Sequence, residues 1–227
     1  MTCRRGPEAV RAWGMLAAIV MVLACGNACA AKQSDEETRK LALAQLQSAD
    51  ADARLAACTV LAKVGRPEDV PLLLSRLYDD DDRVRGTAEA VIWVIWSRSG
   101  DAATDRLFEH GVEQMRDGRL KMAIDTFSRV IVMHPEFAEG WNKRATVYFL
   151  LGEDDLSLKD CAEVLKRNPR HFGVLAGYGQ IYLRKGELQR SLDYFEQALA
   201  INPNMTGVQA SIDALRELMV KRGRRFI

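Results

Sequence analysis

In the second half of this 227-residue chain, similar residues occur three times at a spacing of 34 residues, without a gap. It links one series of prolines, one of glycines and one of small residues. The series are Pro135, Pro169 and Pro203; Gly118, Gly152 and Gly186; and Gly111, Ala145 and Gly179. Recurrence at this period predicts a stack of similar supersecondary units rather than one closed core.

Each recurring position has a physical role in a helix–turn–helix unit. The small residues allow two helix axes to approach closely, and the glycine ends the first helix with a positive φ. The proline ends the second helix. The pattern over residues 104–204 resembles the tetratricopeptide repeat (TPR), which implies three helix–turn–helix units. An amphipathic segment over residues 206–220 predicts a helix that caps the open end.

A second spacing, of 31 residues, runs through residues 36–100. Asp50 aligns with Asp81 and Arg54 with Arg85, together with several apolar pairs. The phrase LYDDDDRVRGTAEA resembles the HEAT repeat, in which an Asp-rich turn precedes the second helix. Only about two units fit, and a repeat buries its face only against its neighbours. We therefore expect this pair to pack onto the TPR array, joined near SRSGDAATD.

These patterns predict an all-α solenoid. A HEAT-like pair occupies residues 31–103, three TPRs occupy 104–204, and a capping helix with a basic tail occupies 205–227. The two cysteines inside the arrays, Cys58 and Cys161, fall at apolar helix positions and are expected to be buried free thiols.

The N-terminus has the three-part layout of a secretory signal peptide over residues 1–30. Basic residues precede a largely apolar run over 12–25, which is shorter than the roughly 20 residues of a membrane-spanning helix. An uncleaved anchor remains an alternative. Ala28-Cys29-Ala30 predicts cleavage to a soluble periplasmic chain, whereas Val22-Leu23-Ala24-Cys25 resembles the lipobox of bacterial lipoproteins and makes Cys25 a candidate lipidation site. Both cleavage patterns predict export to the bacterial cell envelope.

Composition and motifs argue against several function classes. Net charge is +1, which does not favour nucleic acid as a partner. None of the three histidines has metal-ligand spacing, and no nucleotide-binding or nucleophile motif is present. The acidic run from Asp79 to Asp82 fits helix N-capping better than a calcium loop. We therefore predict no enzyme activity, no metal and no cofactor.

One conspicuous stretch, PEFAEGWNKRATVYFLLGE, is divided by the repeat register into two faces. Trp141 faces inward and is predicted to pack between helices. Arg144 replaces the usual apolar residue of its position, and Asp160 lies at an inward position of the second helix of the same repeat. This combination predicts a buried Arg144–Asp160 ion pair.

The resemblance implies that the first helices of the repeats line a concave groove that binds peptides or partner helices. The predicted groove residues are Phe108, Val112, Met115, Glu139, Asn142, Thr146, Phe149, Gln180 and Leu183. They lack the Lys, Asn and Arg set of the carboxylate-clamp members, so an apolar or mixed segment fits better than an acidic C-terminal peptide. The alternative is a groove that is solvated or filled by the chain's own tail.

The sequence therefore predicts a non-enzymatic scaffold or adaptor of the bacterial cell envelope that docks a protein or peptide segment in the groove. A structural subunit of an envelope assembly, acting through the HEAT-like part, is the first alternative. A ligand-binding protein or enzyme is a second alternative, with no motif to support it.

Overall fold

The computed structural model describes residues 33–224. The predicted signal segment, the candidate lipidation site Cys25 and residues 225–227 of the basic tail lie outside them. All regular structure in the described part is helical, with eleven α-helices and one short 3-10 turn. The chain divides into two compact units, and the boundary falls between Gly65 and Arg66, inside the segment predicted as HEAT-like. None of the helices in residues 33–224 is long and apolar enough to cross a bilayer.

The described part of the first unit is a pair of helices, α1 over residues 33–45 and α2 over Ala51–Val64. Asp50 caps α2 by accepting a hydrogen bond from the backbone N–H of Asp52. Arg54 reaches back along the turn and donates to the carbonyls of Ser48 and Ala49. Both side chains therefore fix the entry into α2.

The second unit opens with the 3-10 turn Pro67–Asp69, followed by α3 over Val70–Arg76 and α4 over Asp82–Trp96. Asp81 caps α4, and Arg85 donates to the carbonyls of Asp79 and Asp80. These are the roles of Asp50 and Arg54, repeated 31 residues later. A side-chain hydrogen bond from Arg83 lowers the pKa of Asp81 to about 2.

Seven further helices complete this unit and form an α-solenoid of helical repeats. They are α5 (Ala102–Arg116), α6 (Leu120–Met133), α7 (Ala138–Leu150), α8 (Asp154–Arg167), α9 (Phe172–Arg184), α10 (Leu188–Ile201) and α11 (Thr206–Arg224). The expectation of an all-α repeat fold is confirmed. Val208, Ile212 and Leu215 of α11 pack with Phe195 of α10, so the last helix covers the apolar end of the array.

The turn between the two helices of each repeat is the same in all three. Gly118, Gly152 and Gly186 have φ values of 74°, 81° and 78°, a conformation that a side chain would strain. The residue after each glycine donates its N–H to a carbonyl five residues back, at 2.9 Å in every case. This is the Schellman arrangement, and it explains why a glycine recurs at this position in each of the three repeats.

In the first and third repeats, the packing between the two helices depends on a glycine that faces a phenylalanine. A Cβ added to Gly111 would lie 2.7 Å from the Phe127 ring, and one added to Gly179 would lie 2.4 Å from the Phe195 ring. Both rings are fully buried. The rings therefore lie directly on backbone that carries no side chain, and this contact sets the approach of the two helices.

Replacing Gly179 with alanine should lower the free energy of unfolding by about 1–3 kcal/mol, because the new methyl group displaces the Phe195 ring. Gly177→Ala is the matched control on the same helix. Nothing lies within 4 Å of its Cβ position, so it should raise stability by about 0.5–1 kcal/mol through helix propensity alone. Urea denaturation of both variants checks this. Equal effects of the two substitutions would contradict it.

Candidate functional site

The first helices of the three repeats, α5, α7 and α9, carry the predicted groove residues, and the structure separates these residues into two groups. Asn142, Thr146 and Gln180 reach the surface, as do parts of the apolar members Val112, Met115, Phe149 and Leu183. Phe108 and Glu139 do not, because they are 4% and 0% exposed. Their assignment to a partner-binding surface is therefore wrong.

A cavity of about 140 Å³ opens between α7 and α9. Its lining consists of Asn142, Ala145, Thr146, Phe149, Ser157, Cys161, Gly173, Val174, Gly177, Gln180 and Ile181. Four of the nine predicted groove residues thus meet around one cavity. Val112, Met115 and Leu183 lie outside it. The mouth offers amide and hydroxyl groups, while the interior is apolar, and none of these lining residues is charged.

Local contacts hold the rim of this cavity in place. The Thr146 hydroxyl donates to the carbonyl of Asn142 at 2.9 Å, and the Asn142 amide donates to Glu139 Oε2 at 2.9 Å. Phe149 lies under the guanidinium of Arg184, which is 4.0 Å from the ring centroid. Arg184 is in turn bound to Asp154. Asn142 is thus oriented by a contact within α7, and Phe149 by a side chain of α9.

Glu139 is buried because its carboxylate belongs to a hydrogen-bonded network. Its Oε1 lies 2.7 Å from Nε2 of His171, and both side chains are fully buried. The backbone N–H of Val174 donates to His171 Nδ1 at 3.1 Å, so Nε2 carries the proton that is donated to Glu139. Lys143 lies 3.9 Å from the other carboxylate oxygen. This network joins the N-terminal ends of α7 and α9.

Two tryptophans of α4 cover that network. The Trp96 ring stacks on His171 with centroids 4.4 Å apart, and Trp93 meets His171 edge-on at 5.4 Å. A Cβ at Gly173 would lie 2.5 Å from the Trp93 ring, so this ring rests on the backbone of α9. The HEAT-like helix α4 therefore packs on the start of α9. For this helix the contact agrees with the expectation that the HEAT-like segment packs onto the TPR array.

The Arg144 and Asp160 side chains lie together between the two helices of the middle repeat. Arg144 donates to both carboxylate oxygens of Asp160, at 2.7 Å and 2.9 Å, and to the Ser128 hydroxyl at 2.9 Å. The guanidinium also lies 5.2 Å from the Trp141 ring centroid. The hydrogen bond to Asp160 raises the pKa of Arg144, so the guanidinium stays charged. Trp141 is partly exposed and donates to the Pro135 carbonyl.

Comparison with known proteins decides the family. The tetratricopeptide repeat models match residues 108–169 and 173–205, and the HEAT repeat model matches 13–93. Over 138 residues the chain is 33% identical to a TPR repeat-containing protein of Rhizobium etli, a match that spans 61% of this chain and 67% of that protein. The chain belongs to the TPR repeat-containing proteins.

More distant relatives match only part of this TPR protein. It is 25% identical over 125 residues to the small glutamine-rich tetratricopeptide repeat-containing protein of Dictyostelium discoideum. That match spans 51% of this chain and 35% of the relative. The Sgt2 TPR domain from Aspergillus fumigatus superposes with a TM-score of 0.51 at 14% identity, over 55% of this chain and 83% of that one.

The Yersinia enterocolitica type III secretion chaperone SycD, solved in complex with a peptide of the translocator YopD, gives a TM-score of 0.50 at 15% identity, over 52% of this chain and 96% of that one. At these identities the structural likeness shows the fold of the TPR protein and nothing finer.

Sequence reasoning missed the roles of His171, Trp93 and Trp96 in the TPR protein. A signal for His171 exists in the repeat register, because the equivalent positions hold Phe137 and Met205. A histidine at an otherwise apolar, buried position requires a polar partner. The tryptophans gave no comparable signal. They lie in the segment with the 31-residue spacing, and neither spacing predicts contacts between that segment and the TPRs.

A larger cavity of about 440 Å³ lies between α3–α4 and the turns that join the repeats. Its charged lining includes Glu139 and His171, which bind each other, and Arg167, which is paired with Glu163. These groups already serve the internal structure of the TPR protein. Within residues 33–224, no cluster of three or more His, Cys, Asp or Glu side chains could hold a metal ion.

Acidification should test the Glu139–His171 pair in the TPR protein. Burial raises the pKa of Glu139, but hydrogen bonds from His171 and Asn142 and the charge of Lys143 outweigh it, so the pKa lies below the ordinary value of 4.5. A lowered carboxyl pKa stabilises the fold above about pH 4.5, and this contribution is lost as the pH falls further. At pH 7 the free energy of unfolding of the wild type should exceed that of Glu139→Gln by about 1–3 kcal/mol.

Urea denaturation of both proteins at pH 7 and about pH 3.5 checks this, with the difference shrinking in acid. Comparing the two proteins at each pH removes the contribution of the other carboxylates. A difference that stays constant over this range would contradict an ionised Glu139 in the folded state.

Proposed function

We propose that this TPR protein is a non-enzymatic adaptor that binds an extended, uncharged segment of a partner protein in the groove between α7 and α9. The observation that carries this proposal is the open cavity between these helices, with neutral polar groups at its mouth and apolar groups inside. Ligand sites combine an apolar interior with a few placed polar groups in this way. The peptide-bound state of SycD, a protein of the same fold, supports the proposal.

The geometry of α9 favours a peptide backbone as the occupant. Gly177 lies on the groove face of α9, and nothing lies within 4 Å of its Cβ position, so no side chain is present there to keep a chain away from the helix. Asn142 and Gln180 line the same cavity and supply amide groups that pair with backbone N–H and C=O groups. A partner segment therefore finds both close approach and hydrogen bonds.

Blocking the groove at Gly177 tests this function. Nothing lies within 4 Å of a Cβ at this position, so Gly177→Trp places an indole in the groove without displacing the protein interior. Short peptides selected from a displayed random library on the wild-type protein should bind this variant at least about ten-fold more weakly, because the indole occupies their place.

The matched control is Gly86→Trp on α4, where a Cβ also meets nothing within 4 Å and the residue is exposed. This variant should bind the selected peptides like wild type. Equal binding to Gly177→Trp and wild type, measured by fluorescence anisotropy, would contradict the groove as the binding site. Failure to select any peptide counts against the proposal as well.

We further propose that the protein acts in the bacterial cell envelope, on the basis of the three-part N-terminal segment. The HEAT repeat match begins at residue 13, inside that segment. This match favours the alternative that residues 13–30 are kept in the mature protein and not cleaved off. Mass spectrometry of the protein from bacterial cells distinguishes the cases. Export predicts an N-terminus at Ala31 or at a lipidated Cys25. A chain that retains residues 13–30 would contradict cleavage.

A further inference from the structure

The three repeats differ at the two positions that hold their helices together. The first and third repeats pair a glycine with a phenylalanine, Gly111 with Phe127 and Gly179 with Phe195. The middle repeat has Ala145 and Cys161 at the equivalent positions. The alanine adds one methyl group where the other repeats have none, but the cysteine removes a whole aromatic ring.

A cavity lies beside the position of the missing ring. Phe127 and Phe195 are fully buried in their repeats. Ala145 and Cys161 are also buried, at 2% and 4% exposed, but both line the cavity between α7 and α9. The cavity thus extends from the groove surface down to the position where the other repeats place a phenyl ring. Val174 and Ile181 of α9, each only 1% exposed, form its far wall.

The size and polarity of this cavity restrict its occupant. Its volume is about 140 Å³, and an apolar protein cavity of about 150 Å³ accommodates one benzene molecule. A charged side chain would lose its hydration there without meeting a counter-charge. The Cys161 thiol does not supply one, because burial raises its pKa to about 12 and keeps it neutral. A single large apolar side chain meets both restrictions.

We propose that the middle repeat contains a specificity pocket, bounded by Ala145, Cys161, Val174 and Ile181, that takes one phenylalanine- or leucine-sized side chain of the bound segment. This inference rests on the proposed function of the groove. The bound side chain occupies the place that Phe127 and Phe195 fill in the neighbouring repeats. Asn142 and Gln180 hold the peptide backbone on either side of it.

The double variant Ala145→Gly with Cys161→Phe tests the pocket. It restores the glycine–phenylalanine pair of the outer repeats, so the protein fills the pocket with its own ring and keeps a packing that it already uses twice. Peptides selected on the wild-type protein should bind this variant at least about ten-fold more weakly, since their apolar side chain loses its burial site. Gly86→Trp, on the exposed face of α4, is the control and should bind within about three-fold of wild type.

A second measurement uses the unaltered protein. Each large apolar residue of a selected peptide is replaced in turn by alanine and by aspartate. One such residue should dominate, with a loss of at least about ten-fold on alanine and a larger loss on aspartate. This result does not depend on the folding of any variant.

The outcomes separate the pocket from the groove. Peptides that lose affinity for Gly177→Trp but bind the folded double variant like wild type overturn the pocket and leave groove binding intact. Peptides whose apolar residues all tolerate alanine have the same meaning. Peptides that bind Gly177→Trp like wild type overturn the proposed function itself.

Discussion

The contact between a glycine and a phenylalanine ring sets the geometry of the first and third repeats of the TPR array. Because Gly111 and Gly179 carry no side chain, Phe127 and Phe195 lie directly on helix backbone and fix the distance between the helices of their repeats. The Schellman turns then return the chain in the same direction in all three repeats. The groove exists because this unit is repeated, and the cavity between α7 and α9 lies where the middle repeat lacks the ring.

Helix α9 also packs against structure outside the TPRs. Trp93 and Trp96 of α4 contact His171 at the start of this helix, and His171 forms a buried pair with Glu139. A polar pair at this depth is stable only because every strong group in it has a partner. The start of α9 is therefore held by both α4 and α7, while the groove cavity lies between α7 and α9.

Much of this fold could be predicted from the sequence, because repeated packing leaves repeated residues. The spacing of 34 residues indicated the helices, the turns and their all-α stacking, and an arginine at an apolar position pointed to Asp160. Glu139 shows where this reasoning ends. Its register assigned it to the groove, but its carboxylate is buried against His171. That histidine departs from the apolar residues at the equivalent positions, so the periodicity holds no record of the pairing. Cys161 was placed correctly as a buried thiol, while the empty volume beside it appears only in three dimensions.

Gly173 belongs to two contacts at once. The Trp93 ring of α4 rests on its backbone, and the same residue lines the groove cavity. An occupant that shifted this turn of α9 would change the free energy of α4 packing. Because coupling between two sites is reciprocal, a change in the packing of α4 would then change the affinity of the groove by the same factor.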